Sequence, residues 1–199
     1  MARKTGSHSE ITGPKIKQAA LELFARHGFA AVTMRQIAAR VGVQAGALYN
    51  YTPDKQALLF DLLRGHMADL LARWAAEQVP HDPVAALDHF VAFHLDFHIQ
   101  RPDLVFISYM ELRNLTEENF KEIEEMRRRY EKIVYDMIRQ GVLSGDFQVP
   151  DAKITSFALI AMLTGVVDWF REDGRLSSIE LTRHYCALAR QAFGVNAQA

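Results

Sequence analysis

Between Thr33 and Tyr51 the chain places two very short helices on either side of a single glycine, Gly42, and that spacing constrains the fold more than any other feature of the sequence. Thr33 is a side-chain cap for a helix whose Ile37, Ala38 and Val41 form its buried stripe. Gly42 supplies the tight turn, because a positive φ costs glycine little. The second helix is expected over about 44–51. Ahead of both, Ile16, Ala20, Leu23, Phe24 and His27 recur at helical spacing until Gly28 stops them. Three short helices in fifty residues, the last two joined at a glycine, suit a helix-turn-helix.

Helical punctuation continues to the end of the chain, and no apolar–polar alternation lasts beyond a few residues. Pro53 and Asp54 open a helix carrying Leu58, Leu62, Met67 and Leu71 to about Gln78. Asp82 with Pro83 starts the next one, which holds Phe90, Val91, His94, Phe97 and His98 and stops at Arg101-Pro102. A shorter helix follows to near Leu115, and Thr116 caps a long charged one that stops around Gly141. Asp151 caps a helix over 152–171 that is apolar nearly all round, so it is expected to be buried on more than one side. Ser177 and Glu180 stand in capping-box spacing before the last helix, which ends at Gly194 ahead of a frayed tail. The expected fold is all-α with about nine helices. A helix-turn-helix domain over 1–53 leads into a helical body over 54–199, and the helix over 54–78 joins them.

Composition narrows the function classes. The net charge of −1 hides an asymmetry: residues 1–65 hold nine basic and four acidic side chains, net +5, and the remainder is net −6. A basic head suits a polyanion, and the body does not. The longest nearly uncharged run, 154–167, contains Thr155, Ser156 and Thr164 and falls short of the ~20 apolar residues that span a bilayer. No membrane span and no secretory signal is expected, because the charges of MARKTGSHSE are followed by no apolar stretch. With one cysteine, Cys186, there is no disulfide framework. These features point to the cytoplasm.

The second helix of the pair carries the candidate chemistry. Ala45, Gly46 and Ala47 let its backbone approach bases in a major groove, which admits one helix. Gln44 and Asn50 each pair a donor with an acceptor, the pattern that an adenine edge requires. Tyr49 and Tyr51 offer hydroxyls to phosphates, Lys55 lies near a helix N-terminus, and Arg35, with Arg3 and Lys4 of the arm, adds cations.

The stretch Thr33-Met-Arg-Gln-Ile-Ala-Ala-Arg-Val-Gly-Val-Gln-Ala-Gly-Ala-Leu-Tyr-Asn-Tyr, followed by Pro53-Asp-Lys-Gln-Ala-Leu58, resembles the TetR/AcrR family of one-component transcriptional regulators. The resemblance covers roughly residues 11–60. It implies that Thr33 caps the second helix and touches phosphate, that Leu48 is core, and that Tyr49, Tyr51 and Lys55 occupy phosphate-contacting positions. Three residues depart from the pattern: Gln44 stands where serine or threonine is usual, Asn50 for histidine and Thr52 for phenylalanine. The family further implies a homodimer, formed through the last two helices, on a near-palindromic double-stranded DNA operator. A small apolar or amphipathic effector would release it, repression being the usual outcome.

In the body, Phe90, Phe93, Phe97, Phe106 and Tyr109 at helical spacing fit either a core or an apolar effector cavity, with His94 and Arg113 as polar anchors. The sequence Trp169-Phe-Arg-Glu-Asp-Gly-Arg is similar to family members that respond to acyl-coenzyme A thioesters, with Arg171 and Arg175 suited to the coenzyme phosphates. The same arginines suit helix-end cations. His94 and His98 have the i, i+4 spacing of metal ligands, but no third ligand accompanies them and no metal or cofactor is expected. No phosphate-binding glycine loop, nucleophile elbow or zinc-protease motif occurs, so catalysis is not expected. Two other functions fit the same sequence: a helical sensor whose helix-turn-helix binds protein, and an activator.

Overall fold

Side chains that satisfy the first N–H groups of a helix set most of the boundaries. The computed structural model describes the backbone of residues 6–195, with side chains from residue 12, so Arg3, Lys4 and the end of the tail lie outside the described residues. Within them are ten α-helices, one 3-10 turn (Leu112–Asn114) and no strand. The helices are α1 (Gly6–His27), α2 (Met34–Val41), α3 (Ala45–Leu48), α4 (Lys55–Ala75), α5 (Pro83–Ile99), α6 (Pro102–Met110), α7 (Glu117–Ser144), α8 (Ala152–Thr164), α9 (Val166–Trp169) and α10 (Ser178–Ala192).

The caps read from sequence are formed. Thr33 and Gln36 make a reciprocal box at α2, with the Thr33 N–H donating to Gln36 Oε1 at 2.7 Å. Ser177 and Glu180 do the same at α10. Asp82 accepts from the Ala85 N–H at 2.7 Å, and Asp151 accepts from those of Lys153 and Ile154. Gly42 ends α2 at φ 77°, a conformation that side chains with a Cβ rarely adopt.

Two expectations change. The helix expected over 44–51 is one turn long. Past Leu48 the N–H groups of Asn50 and Tyr51 donate three residues back, to Ala47 and Leu48, so the coil tightens to 3-10 geometry. Gln44 makes no side-chain cap hydrogen bond there. The helix expected over 152–171 breaks at Gly165, where glycine weakens the helix and Asp168 again bonds three residues back. That break accounts for ten helices instead of nine.

The chain divides into two compact units. The first holds residues up to Ala68 together with Asp103–Glu124, and the second holds Asp69–Pro102 and the chain from Glu125 onward. The chain passes between them inside α4, at the first residue of α6, and inside α7. The first unit's core draws on Ile16, Ala20 and Phe24 of α1, Ile37 and Ala38 of α2, Leu48 of α3 and Leu58 and Leu59 of α4. In the second, α5 is central: α8, α9 and α10 pack against it, and its Leu87, Phe90, Val91 and Leu95 are fully buried.

The stretch Ala152–Trp169 is long and apolar enough to cross a bilayer by length and composition alone. The expectation that it is buried on more than one side does not hold within this chain. Ser156, Leu159, Leu163 and Thr164 face the core of the unit, while Ile154, Phe157, Ala158 and Ala161 are exposed. Only one stripe of α8 has neighbours in its own unit, because α8 packs on α5 from outside.

Candidate nucleic-acid interface and effector site

The short helix α3 is held from beneath by Leu48, which is fully buried, while what it presents outward is polar and small. Gln44, Gly46 and Asn50 are exposed, Ala45 is half-buried, and Tyr49 and Tyr51 are 55% and 39% exposed. Thr33 and Arg35 are exposed at the start of α2. Thr52, one of the departures from the family pattern, is buried, and its hydroxyl donates to the Asp54 carbonyl at 3.0 Å.

Lys55 stands apart from this exposed set. Its ammonium donates to the carbonyls of Phe29 and Val32, both at 2.7 Å, and lies 4.2 Å from the centre of the Phe29 ring. It therefore clamps the loop between α1 and α2. No sequence pattern signals this, because the carbonyls lie more than twenty residues away.

In the second unit, Trp74 of α4 gathers part of the predicted aromatic set. Phe90 and Phe93 meet its ring at 5.4 and 5.1 Å in edge-on geometry, and Phe97 stacks on Phe93. Phe97 also carries the Arg101 guanidinium 4.1 Å from its ring centre. His94 is fully buried beside them, within hydrogen-bond distance of Tyr130 Oη (3.0 Å) and Thr164 Oγ1 (3.1 Å). His98 stacks flat on His94 at 3.8 Å and bonds the His94 carbonyl. Burial pushes the His98 imidazole down to about 4; the His94 carbonyl opposes this and Arg101 adds to it. The pair is thus a buried, hydrogen-bonded element, and no group of three metal-ligating side chains occurs among the described residues. Tyr130 and Thr164 carry no sequence signal for this role, since they reach His94 from 36 and 70 residues away.

Phe106, Tyr109 and Arg113 belong to the first unit and are exposed. Trp169 is exposed and shares a hydrogen bond with Tyr185, whose hydroxyl is pushed up by burial and drawn back by that bond. Arg171 donates to the carbonyls of Phe170 (2.7 Å) and Asp168 (3.2 Å), closing the end of α9, and Arg175 is exposed. Arg171 also borders a concavity of about 550 Å³ with Ile99, Pro102, Phe170 and the acidic Glu172 and Asp173. The Cys186 thiol is pushed up to about 11 by burial and by Asp88.

Residues 16–62 match the family described as bacterial regulatory proteins, tetR family, and residues 80–193 match the tetracyclin repressor-like C-terminal domain. The chain belongs to the TetR family. It is 28% identical over 192 residues to the HTH-type transcriptional repressor KstR2 of Mycobacterium tuberculosis, covering 94% of this chain and 95% of that one. A bacterial regulatory protein in the tetR family from Rhodococcus RHA1 has the same fold, with a TM-score of 0.86 and 27% identity over 94% of this chain and 98% of its own. AibR, solved in complex with isovaleryl coenzyme A and operator DNA, shares the fold at a TM-score of 0.80 and 21% identity, covering 93% of this chain and all of that one. As a TetR-family member the chain is a ligand-responsive DNA-binding transcriptional regulator, and its family is one of regulators rather than enzymes.

Proposed function

We propose that this TetR-family chain is a cytoplasmic homodimeric repressor that leaves a near-palindromic operator when an acyl-coenzyme A thioester binds its body. One helix-turn-helix per half-site would enter successive major grooves, about 34–36 Å apart. Residues 1–53 would read DNA, 54–199 would sense and dimerise, and the helix begun at Asp54 would join the two roles. The observation that carries the reading is the set of exposed polar side chains flanking α3 (Gln44, Tyr49, Asn50 and Tyr51) on a head of net charge +5, in a chain that aligns over 94% of its length with a transcriptional repressor.

In this assignment Gln44 and Asn50 read base edges, Ala45 and Gly46 allow close approach, and Thr33, Arg35, Tyr49 and Tyr51 hold phosphates. Lys55 positions the loop between α1 and α2, and its charge would add to the attraction for the DNA backbone. The effector's apolar part would lie among the aromatic side chains of the second unit that include Phe90, Phe93 and Phe97, with His94 as polar anchor; Phe106, Tyr109 and Arg113 remain sequence candidates for effector contact on the first unit. Arg171 and Arg175, beside Trp169, would meet the coenzyme phosphates. Support for a thioester comes from the isovaleryl coenzyme A bound by one structural neighbour and from these arginines; Glu172 and Asp173 in the concavity beside Arg171 disfavour phosphates there. The exposed apolar residues of α8 (Ile154, Phe157) and α10 (Ile179, Leu188) support dimerisation through those helices.

Selection of bound duplexes from random DNA, followed by titration at two salt concentrations, tests the reading. The expected result is an inverted repeat whose affinity falls steeply with salt, because each phosphate neutralised adds about 0.9 to the slope of log affinity against log salt. Recovery of no sequence would favour a sensor whose helix-turn-helix binds protein.

A further inference from the structure

The first unit contains a closed ring of hydrogen bonds that shares only Lys55 with the DNA and effector assignments. Glu111, at the end of α6, is 7% exposed. Its Oε1 accepts the N–H of Phe29 at 3.1 Å, across 82 residues of chain. Its Oε2 accepts the Asn114 side-chain amide at 2.6 Å. The Asn114 carbonyl accepts from the Gln56 side chain, and the neighbouring Lys55 returns to the Phe29 carbonyl at 2.7 Å. The two sides of the Phe29 residue are therefore held by opposite charges, a carboxylate on its N–H and an ammonium on its carbonyl. Gly28, just before it, has φ +79° and lies close enough that an added Cβ would sit 3.4 Å from Glu111 Oε1.

Phe29 lies on the loop that determines where α2, and through Gly42 the reading helix α3, begins. Asn114 lies in the 3-10 turn that leads into α7, the helix that runs on into the second unit. We propose that the Glu111 carboxylate is a positioning residue for operator binding, the latch that fixes the helix-turn-helix to the start of α7. The ring closes in the DNA-binding state and opens when an effector displaces the turn over 112–114. A charged acceptor suits a latch, because hydrogen bonds to an ionised carboxylate are stronger than neutral ones and make the closed state well defined. An open carboxylate regains water, so opening leaves no buried charge stranded. The part about effectors rests on the ligand-responsive reading above; the part about operator binding does not.

The full-length protein carries the test, through Glu111→Ala, Glu111→Gln and Asn114→Ala. Three readouts apply: operator affinity, melting temperature, and amide hydrogen exchange over residues 28–33 and 111–116. Glu111→Ala should weaken operator binding about tenfold and accelerate exchange in both segments together. Glu111→Gln keeps an acceptor for the Phe29 N–H and should restore affinity to within about threefold of the parent. The double variant of Glu111→Ala with Asn114→Ala should be no weaker than Glu111→Ala alone, since both open one ring. A Glu111→Ala protein that binds operator within twofold of the parent overturns the proposal. So does loss of affinity that follows the melting temperature and is not rescued by glutamine, because that marks a merely structural residue. The probe for the effector arm is a series of acyl-coenzyme A thioesters from acetyl to palmitoyl. Any that releases the parent from DNA should accelerate exchange over 28–33 in the parent but not further in Glu111→Ala. If none releases the parent, the thioester assignment fails while the operator and exchange comparisons still judge Glu111.

Discussion

Single side chains divide between two jobs in the head, and Tyr49 and Lys55 mark the division. Tyr49 is more than half exposed with its neighbour Leu48 holding the helix, so Tyr49→Ala should change stability by no more than about 0.5 kcal/mol. Its operator affinity should fall severalfold. Lys55→Ala removes a charged donor from two carbonyls at 2.7 Å and should cost about 1.5–3 kcal/mol of stability as well as affinity. Chemical denaturation alongside DNA titration separates the two; equal stabilities would remove the clamp role from Lys55. His98 supplies a second residue-scale expectation. Its folded-state value, held near 4 by burial, lies below its ordinary 6.5, so the unfolded chain binds the proton more readily. The stability it contributes is complete above about pH 6.5 and is lost as pH falls toward 4, at about 1.4 kcal/mol per unit within that window. The stacked His94 and the Arg101 guanidinium face it throughout. His98→Asn, which retains a donor for the His94 carbonyl, should flatten the acid limb of a stability-against-pH curve. An unchanged limb would place the acid sensitivity elsewhere. At this scale, what the sequence makes legible is local. Thr33 with Gln36, Ser177 with Glu180 and Asp82 with Pro83 are caps whose partners lie within three residues. The partners of Lys55, Glu111 and His94 lie 23 to 82 residues away, and no periodicity reports them.

Elements show the same contrast between pattern and context. The helices with one apolar stripe and a cap at each start were readable in order, and Gly42 marked its turn by the backbone angle it alone accepts cheaply. The short α3 was not readable to its end. Its last turns tighten to 3-10 geometry, and helix propensity does not distinguish the two over four residues. α8 posed a different problem. Apolar residues all round a helix require burial all round, but a sequence does not say whether the second side is covered by the same chain. Ile154 at 66% and Phe157 at 45% exposure leave that side open in one chain, and a second copy is the proposed cover. Phe157→Glu puts a charge into that face without touching the core, so the monomer should fold with nearly the parent melting temperature. Sedimentation should then report a monomer at micromolar concentration, and operator binding should fall by more than a hundredfold. A Phe157→Glu protein that remains dimeric would exclude this face as the interface.

For the molecule as a whole, the charge division of +5 and −6 sets how it meets DNA. A body of the same sign as DNA is repelled, so attraction is concentrated in the head, and a dimer would present two such heads on one face of the duplex. Two rigidly paired heads require half-sites separated by about one helical turn, 10–10.5 base pairs, or a multiple of it. Inserting five base pairs between the half-sites of the selected operator turns one half-site to the opposite side of the duplex. Affinity should then fall to that of a single half-site, whereas a ten-pair insertion should cost less than the five-pair one if the linkage between heads can stretch. An effector that releases DNA by changing the separation of the heads has little to act on once only one head is bound. On the five-pair operator the thioester should therefore lose most of its effect, while on the parent operator a hundredfold release requires it to favour the non-binding state by about 2.8 kcal/mol. Retention of the full hundredfold effect on a single half-site would mean that opening the ring at Phe29 disables each head by itself, with no contribution from the spacing of the pair.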